Sequence, residues 1–102
     1  MSDPGSKLAI IIIENGWKVD GEIDSHTAPK LASSMETLPD HATVVADFGG
    51  VSFMDSSGLR VLVEASARAA DAGRKLMVSN SSAAIRRLVE ISGLADTLLL
   101  TD

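Results

Sequence analysis

Asp55-Ser56-Ser57-Gly58 places a carboxylate and two hydroxyls where a short apolar run, Val51-Ser52-Phe53-Met54, meets a segment with helical apolar spacing. Asp and Ser at a helix start accept hydrogen bonds from the unpaired amides of the first turn. Those amides, with the positive end of the helix dipole, also favour an anion held nearby. The chemistry this allows is reversible phosphorylation of a serine, and the plain alternative is a helix cap with no further role. Hydrolysis by an activated serine would need a base, but the histidines are His26, before the first predicted helix, and His41, in the loop after it. Ser56 also lacks a Gly-x-Ser-x-Gly elbow, so no catalytic residue is expected. Asp20, Glu22, Asp24 and His26 alternate and would share one strand face if the strand stayed regular that far. With no second ligand cluster they read as a solvated polar face, and no metal or cofactor is expected. Gly49-Gly50 is a bulge signal rather than a phosphate loop.

The elements that must position this junction follow from periodicity and punctuation. Met1 to Ser6 is polar, with Pro4 and Gly5, and is expected to be a flexible lead into one domain spanning residues 7 to 102. Lys7 to Glu14 is β-rich, Asn15-Gly16 is a turn signal, and Trp17 to Asp24 is the returning strand of a hairpin. Trp17, just after the turn, is a candidate half-exposed docking anchor. Thr27 to Leu38 carries an apolar helical face at Ala28, Leu31, Ala32, Met35 and Leu38, with Pro29 in the first turn. Thr43 to Phe48 and Val51 to Met54 form a buried strand loosened by the glycine pair. Helix two runs to about Ala72, with Leu59, Leu62, Val63, Ala69 and Ala70 as its inner face and Gly73 as a left-handed stop. Its outer face alternates in charge through Arg60, Glu64, Arg68 and Asp71.

Lys75 to Val78 is a further strand. Ser81 or Ser82 caps a third helix with Ile85, Leu88 and Val89 inward and Gly93 as its stop, and Thr97 to Leu100 is the last strand. Met35, Met54 and Met77 read as core filling. The order β-β-α-β-α-β-α-β predicts an α/β fold: a mixed, mostly parallel sheet with helices packed mainly on one face, because each β-α-β unit crosses over right-handed.

Composition narrows the partner classes. One hundred and two residues suffice for a single core. A net charge of -5, with no basic cluster longer than Arg86-Arg87, argues against nucleic acid or an anionic membrane as partner. The absence of cysteine removes disulfide and thiol chemistry. The aliphatic run Leu8 to Ile13 is too short to span a bilayer and has no basic region before it, so a soluble cytoplasmic protein is expected.

The wider pattern resembles the anti-sigma-factor antagonists and their relatives built on the STAS domain. The blocks that carry the likeness are Gly21-Glu22-Ile23-Asp24 with Thr27-Ala28, then Val45 through Leu59, then Arg87-Leu88-Val89-Glu90-Ile91-Ser92-Gly93-Leu94, in the family's order. The resemblance implies a STAS fold and a protein interaction module that captures an anti-sigma factor, itself a serine kinase, and so releases a sigma factor. It matches Ser56 to the phosphorylated position, with Ser57 the second choice, and implies a serine phosphatase as a further partner. Asp24, Asp55, Ser57, Gly58 and Arg60 are then the expected partner-binding residues. A phosphate adds about -1.5 to -2 charges beside Asp24 and Asp55 and is expected to act as the off switch. Arg60 stands where many relatives carry a small residue, and its guanidinium is a candidate partner for that phosphate. The family also includes constitutive adaptors, in stressosome-like assemblies or as a lipid-transporter subunit. Many members continue past the last strand with a helix that packs back on the sheet; the sequence ends at Asp102, which leaves open what covers that side.

Overall fold

The computed structural model describes residues 7–94 and 98–102. The expected flexible lead, Met1 to Ser6, and Thr97 of the expected last strand lie outside the described residues. The elements are β1 (Leu8–Ile13), β2 (Gly16–Ile23), α1 (Ala28–Met35), β3 (Thr43–Met54), α2 (Ser56–Asp71), β4 (Lys75–Ser79), α3 (Ala83–Ser92) and β5 (Leu99–Leu100). They form one sheet in the order β1-β2-β3-β4-β5. Only β1 and β2 pair antiparallel, while β2-β3, β3-β4 and β4-β5 are parallel. Because the order advances in one direction, right-handed crossovers put α1, α2 and α3 on the same face. The expected mixed α/β sheet is therefore the observed one.

The hairpin turns one residue earlier than the Asn-Gly pair suggests. Gly16 is already in register with Ile13 and Val45, leaving Glu14 and Asn15 as the connection. The Val45 amide donates to the Asn15 carbonyl at 2.8 Å, which ties the turn to β3 and draws Gly16 into the strand.

Helix-side positions of the strands build the core: Trp17, Val19 and Ile23 of β2, Val44, Ala46 and Phe48 of β3, and Leu76 and Val78 of β4. Trp17 is 2% exposed, and its indole Nε1–H donates to the Ser34 carbonyl at 3.0 Å. It is no docking anchor, because α1 lies over it and satisfies its one polar atom.

On α2, Leu59, Leu62 and Ala69 are buried as expected, but Val61 and Ala65 join them, whereas Val63 is half-buried and Ala70 exposed. The helix must satisfy two neighbours, the sheet and α1, so its apolar stripe is wider than one sheet contact requires and is centred on Leu62. Arg68 is not merely solvated: its Nη1 donates to the Met35 carbonyl at 3.0 Å, closing the C-terminal end of α1. Gly73 and Gly93, at φ +72° and +79°, follow α2 and α3 in the left-handed region. Ser82, not Ser81, caps α3 by accepting from the Ile85 amide at 3.2 Å. The sheet face away from the helices keeps Ile11 and Leu99 exposed and Val45 and Met77 half-buried, so Met77 is less enclosed than Met35 and Met54.

Candidate functional site

Two bulges bring β3 to the junction. Asp20 pairs with Gly50 after Lys18 pairs with Asp47, and Glu22 pairs with Phe53 after Gly21 pairs with Val51, so β3 twice uses one residue more than β2. The first bulge is pinned by Asp47, whose Oδ1 accepts from the Gly49 amide and from Asn80 Nδ2, both at 2.9 Å. These bonds, the Asn80 one foremost, hold the Asp47 carboxyl below its usual range. The second leaves Phe53 half-exposed, three residues before Ser56.

Asp55 then ends the sheet and starts the helix. Its amide donates to the Ile23 carbonyl at 3.1 Å, its backbone stays extended (φ -107°), and its Oδ1 accepts from the Ser57 amide at 2.9 Å. With Asp55 as the cap, neither serine hydroxyl is needed for capping. Ser56 occupies the first helical position, is exposed, and its hydroxyl carries no hydrogen bond among the described residues. Ser57 is half-buried. Gly58 is buried beneath them, and a Cβ there would stand 2.5 Å from Ile23 Cγ2 and 2.6 Å from Met54 Cγ. It carries no side chain for a partner and sets how closely α2 approaches the sheet.

Asp24 belongs to the wall beside this junction. Its Oδ1 accepts from the His26 and Thr27 amides, each at 2.9 Å, while the buried Thr27 hydroxyl donates to the Glu22 carbonyl at 2.8 Å and accepts from the Asp24 amide at 3.0 Å. The Thr27 amide bond is the main reason the Asp24 carboxyl lies below its usual range. The carboxylate is thus committed to shaping the β2–α1 loop. The same loop ends the alternation from Asp20 to His26, since β2 stops at Ile23. Among the described residues no three His, Asp or Glu side chains gather as a metal site.

Between the starts of α1 and α2 runs an open groove of about 390 Å³. Ala28, Pro29, Ala32 and Val61 supply its apolar lining. Ser25, Ser56 and Ser57 mark its polar end, and Arg60 and Glu64 are its charged residues. Arg60 Nε stands 3.4 Å from Glu64 Oε1, with both side chains largely in solvent. No histidine lines the groove. Of the expected residues, Ser56, Ser57 and Arg60 meet in this groove, while Asp24, Asp55 and Gly58 hold its frame.

Residues 16–101 match the family model described as Mlab, STAS domain. The chain belongs to the STAS-domain family. An anti-sigma-B factor antagonist of Listeria monocytogenes is 38% identical over 82 residues, covering 78% of this chain and 72% of that protein. The crystal structure of an anti-sigma factor antagonist from Mycobacterium paratuberculosis superposes with a TM-score of 0.75 at 26% identity, over 99% of this chain and 90% of that one. SpoIIAA, an anti-sigma factor antagonist solved in its unphosphorylated form, shares the fold at a TM-score of 0.66 and 20% identity, over 93% of this chain and 88% of that one. Within this STAS domain, sequence reasoning missed the α1 side of the groove and the outward turn of Phe53. A run such as Val51-Ser52-Phe53-Met54 reads as a buried strand, and only the bulge pairing reveals that Phe53 turns outward. No helix among the described residues is long and apolar enough to cross a membrane.

Proposed function

We propose that this STAS domain is a phosphorylation-switched anti-sigma factor antagonist. It binds an anti-sigma factor that is also a serine kinase, frees a sigma factor for transcription, and acts in the cytoplasm without enzymatic activity of its own. The observation that carries this reading is the Ser56 hydroxyl, exposed and without a hydrogen bond among the described residues, at the first position of α2 and the mouth of a groove, in a chain whose relatives are anti-sigma factor antagonists. In the unmodified protein the partner contacts Ser56, Ser57 and Arg60, over a surface held in shape by Asp24, Asp55 and Gly58. Phosphate on Ser56 adds about -1.5 to -2 charges at this contact and expels the partner, while the helix dipole keeps the modified domain folded. A serine phosphatase restores the binding form. The reading is tested by incubating the protein with its copurified kinase and ATP and mapping phosphate by mass spectrometry. Ser57→Ala is expected to be labelled and Ser56→Ala to stay unlabelled. The reverse pattern would move the site by one residue, and no phosphate on either serine would refute the switch.

A second reading, a constitutive adaptor or scaffold subunit of stressosome-like or lipid-transporter-like kind, is favoured by one finding: the family model is described by Mlab and names no antagonist. Copurification separates the two, a kinase-like anti-sigma factor supporting the first and a transporter ATPase the second.

A further inference from the structure

Ser56, Arg60 and Glu64 are spaced four residues apart along α2 and all line the same groove. Residues at that spacing are neighbours on a helix surface. In the unmodified chain Arg60 is paired with Glu64. The groove residues from α1 and the loop before it, Ser25, Ala28, Pro29 and Ala32, carry no ionisable side chain. Among the lining residues the charge is therefore set by one ion pair, which sums to zero, while the Asp24 and Asp55 carboxylates of the frame are engaged by backbone amides.

We propose that phosphate on Ser56 takes the Arg60 guanidinium from Glu64, so that modification both adds a dianion at the helix start and uncovers a carboxylate further along the same groove. The inference rests on the phosphorylation of Ser56 proposed above and deepens it.

Three comparisons decide the competition in favour of phosphate. The Arg60–Glu64 pair is solvent-exposed, and pairs of that kind hold weakly. Its polarity is also the poorer one, since on a helix an acid four residues before a base is favoured over the reverse. A phosphoserine at 56 precedes Arg60 and has the better order. Finally, phosphate offers about two charges and three acceptor oxygens to a guanidinium that binds such groups bidentately, where Glu64 offers one charge. Glu64 lies more than two turns into α2, so the helix start does not help it retain Arg60. The lining, neutral before modification, then carries a net charge of about -1.5 to -2. Glu64 stands about 12 Å along the helix axis from Ser56, so the repulsion reaches well beyond the modified residue. A partner seating an apolar side chain on Ala28, Pro29 and Val61 would meet that carboxylate.

The test inserts phosphoserine at position 56 during translation, so it needs no kinase. Phosphorus NMR follows the second ionisation of the phosphate in otherwise wild-type protein, in Arg60→Gln and in Glu64→Gln. The dissociation constant is expected to be about two- to tenfold larger with Arg60 present than in Arg60→Gln. It should be at least as large in Glu64→Gln, where nothing competes for Arg60. The Arg60 Nε–H resonance is the second readout. Glu64→Gln should move it in the Ser56 protein and leave it unmoved in the phosphoserine protein. Equal ionisation with and without Arg60, or an Arg60 resonance that still responds to Glu64→Gln after phosphorylation, would overturn the proposal. Failure of a kinase to modify Ser56 would count against the functional reading alone and leave these measurements unchanged.

Discussion

Gly58→Ala is the substitution whose cost can be worked most directly from the geometry. Gly58 is the third residue of α2, and replacing glycine by alanine inside a helix ordinarily stabilises by up to about 1 kcal/mol. Here the new methyl would stand 2.5 Å from Ile23 Cγ2, 2.6 Å from Met54 Cγ and 3.0 Å from Met54 Sδ. Carbon atoms rest about 3.5 to 4.0 Å apart, so α2 or the two side chains must move by about 1 Å. Met54 has rotatable bonds to spend. Ile23 does not: it is β-branched, at the end of β2 and fully buried. Overpacking of this kind costs about 1 to 3 kcal/mol. Subtracting the helical gain leaves a net loss of up to about 2 kcal/mol, with the sign set by the rigid Ile23 contact. The assay is urea denaturation of both proteins, read as a lower midpoint at unchanged slope. Because relief of the clash pushes the first turn of α2 away from the sheet, the rate of Ser56 phosphorylation should fall as well. A variant more stable than wild type would refute the claim that Gly58 is required by the approach of α2 to β2 and β3.

Leu62→Ala removes a fully buried side chain from the middle of the α2 stripe and should cost about 2 to 5 kcal/mol, measured by the same denaturation; an unchanged midpoint would mean that the helix face is wrongly assigned. Asp47, held below its ordinary pKa by Asn80 and the Gly49 amide, stabilises the fold above the unfolded value of 3.8, and that contribution is lost as pH falls through the lower folded value. The melting-temperature gap between wild type and Asp47→Asn should therefore be widest near neutral pH and close below about pH 4, whereas a gap independent of pH would remove the carboxylate from the account of the β3 bulge.

The hydrophobic periods of α1 and α3, the punctuating glycines and the capping run at Asp55 made the order of elements legible, because each is a local signal. What escaped was set by neighbours distant in sequence. Trp17 follows a turn and could have faced solvent, but α1 folds over it and the Ser34 carbonyl takes its N–H. Val61 belongs to the packing of α2 on α1, which no single-helix period reveals. Arg68 reads as one more surface charge until α1 ends beside it. The site divides the same way. The Asp-Ser-Ser-Gly run marked the candidate site, yet it left open which residue caps, and the hydrogen bond from the Ser57 amide to Asp55 assigns that role and leaves Ser56 exposed.

If the unmodified Ser56 surface binds a partner that phosphate displaces, affinity for that partner must fall on modification. Calorimetric affinity for the copurified anti-sigma factor, measured for wild type, Ser56→Ala, Ser56→Asp and the phosphoserine-56 protein, tests it most directly, with the melting temperature of each as the control for folding. Wild type and Ser56→Ala should bind alike, Ser56→Asp more weakly and the phosphoserine protein least, with all four folded. The phosphoserine protein decides the matter, since aspartate carries less charge than phosphate. Equal affinity for the phosphoserine and unmodified proteins, both folded, would contradict the switch and leave this STAS domain a constitutive adaptor.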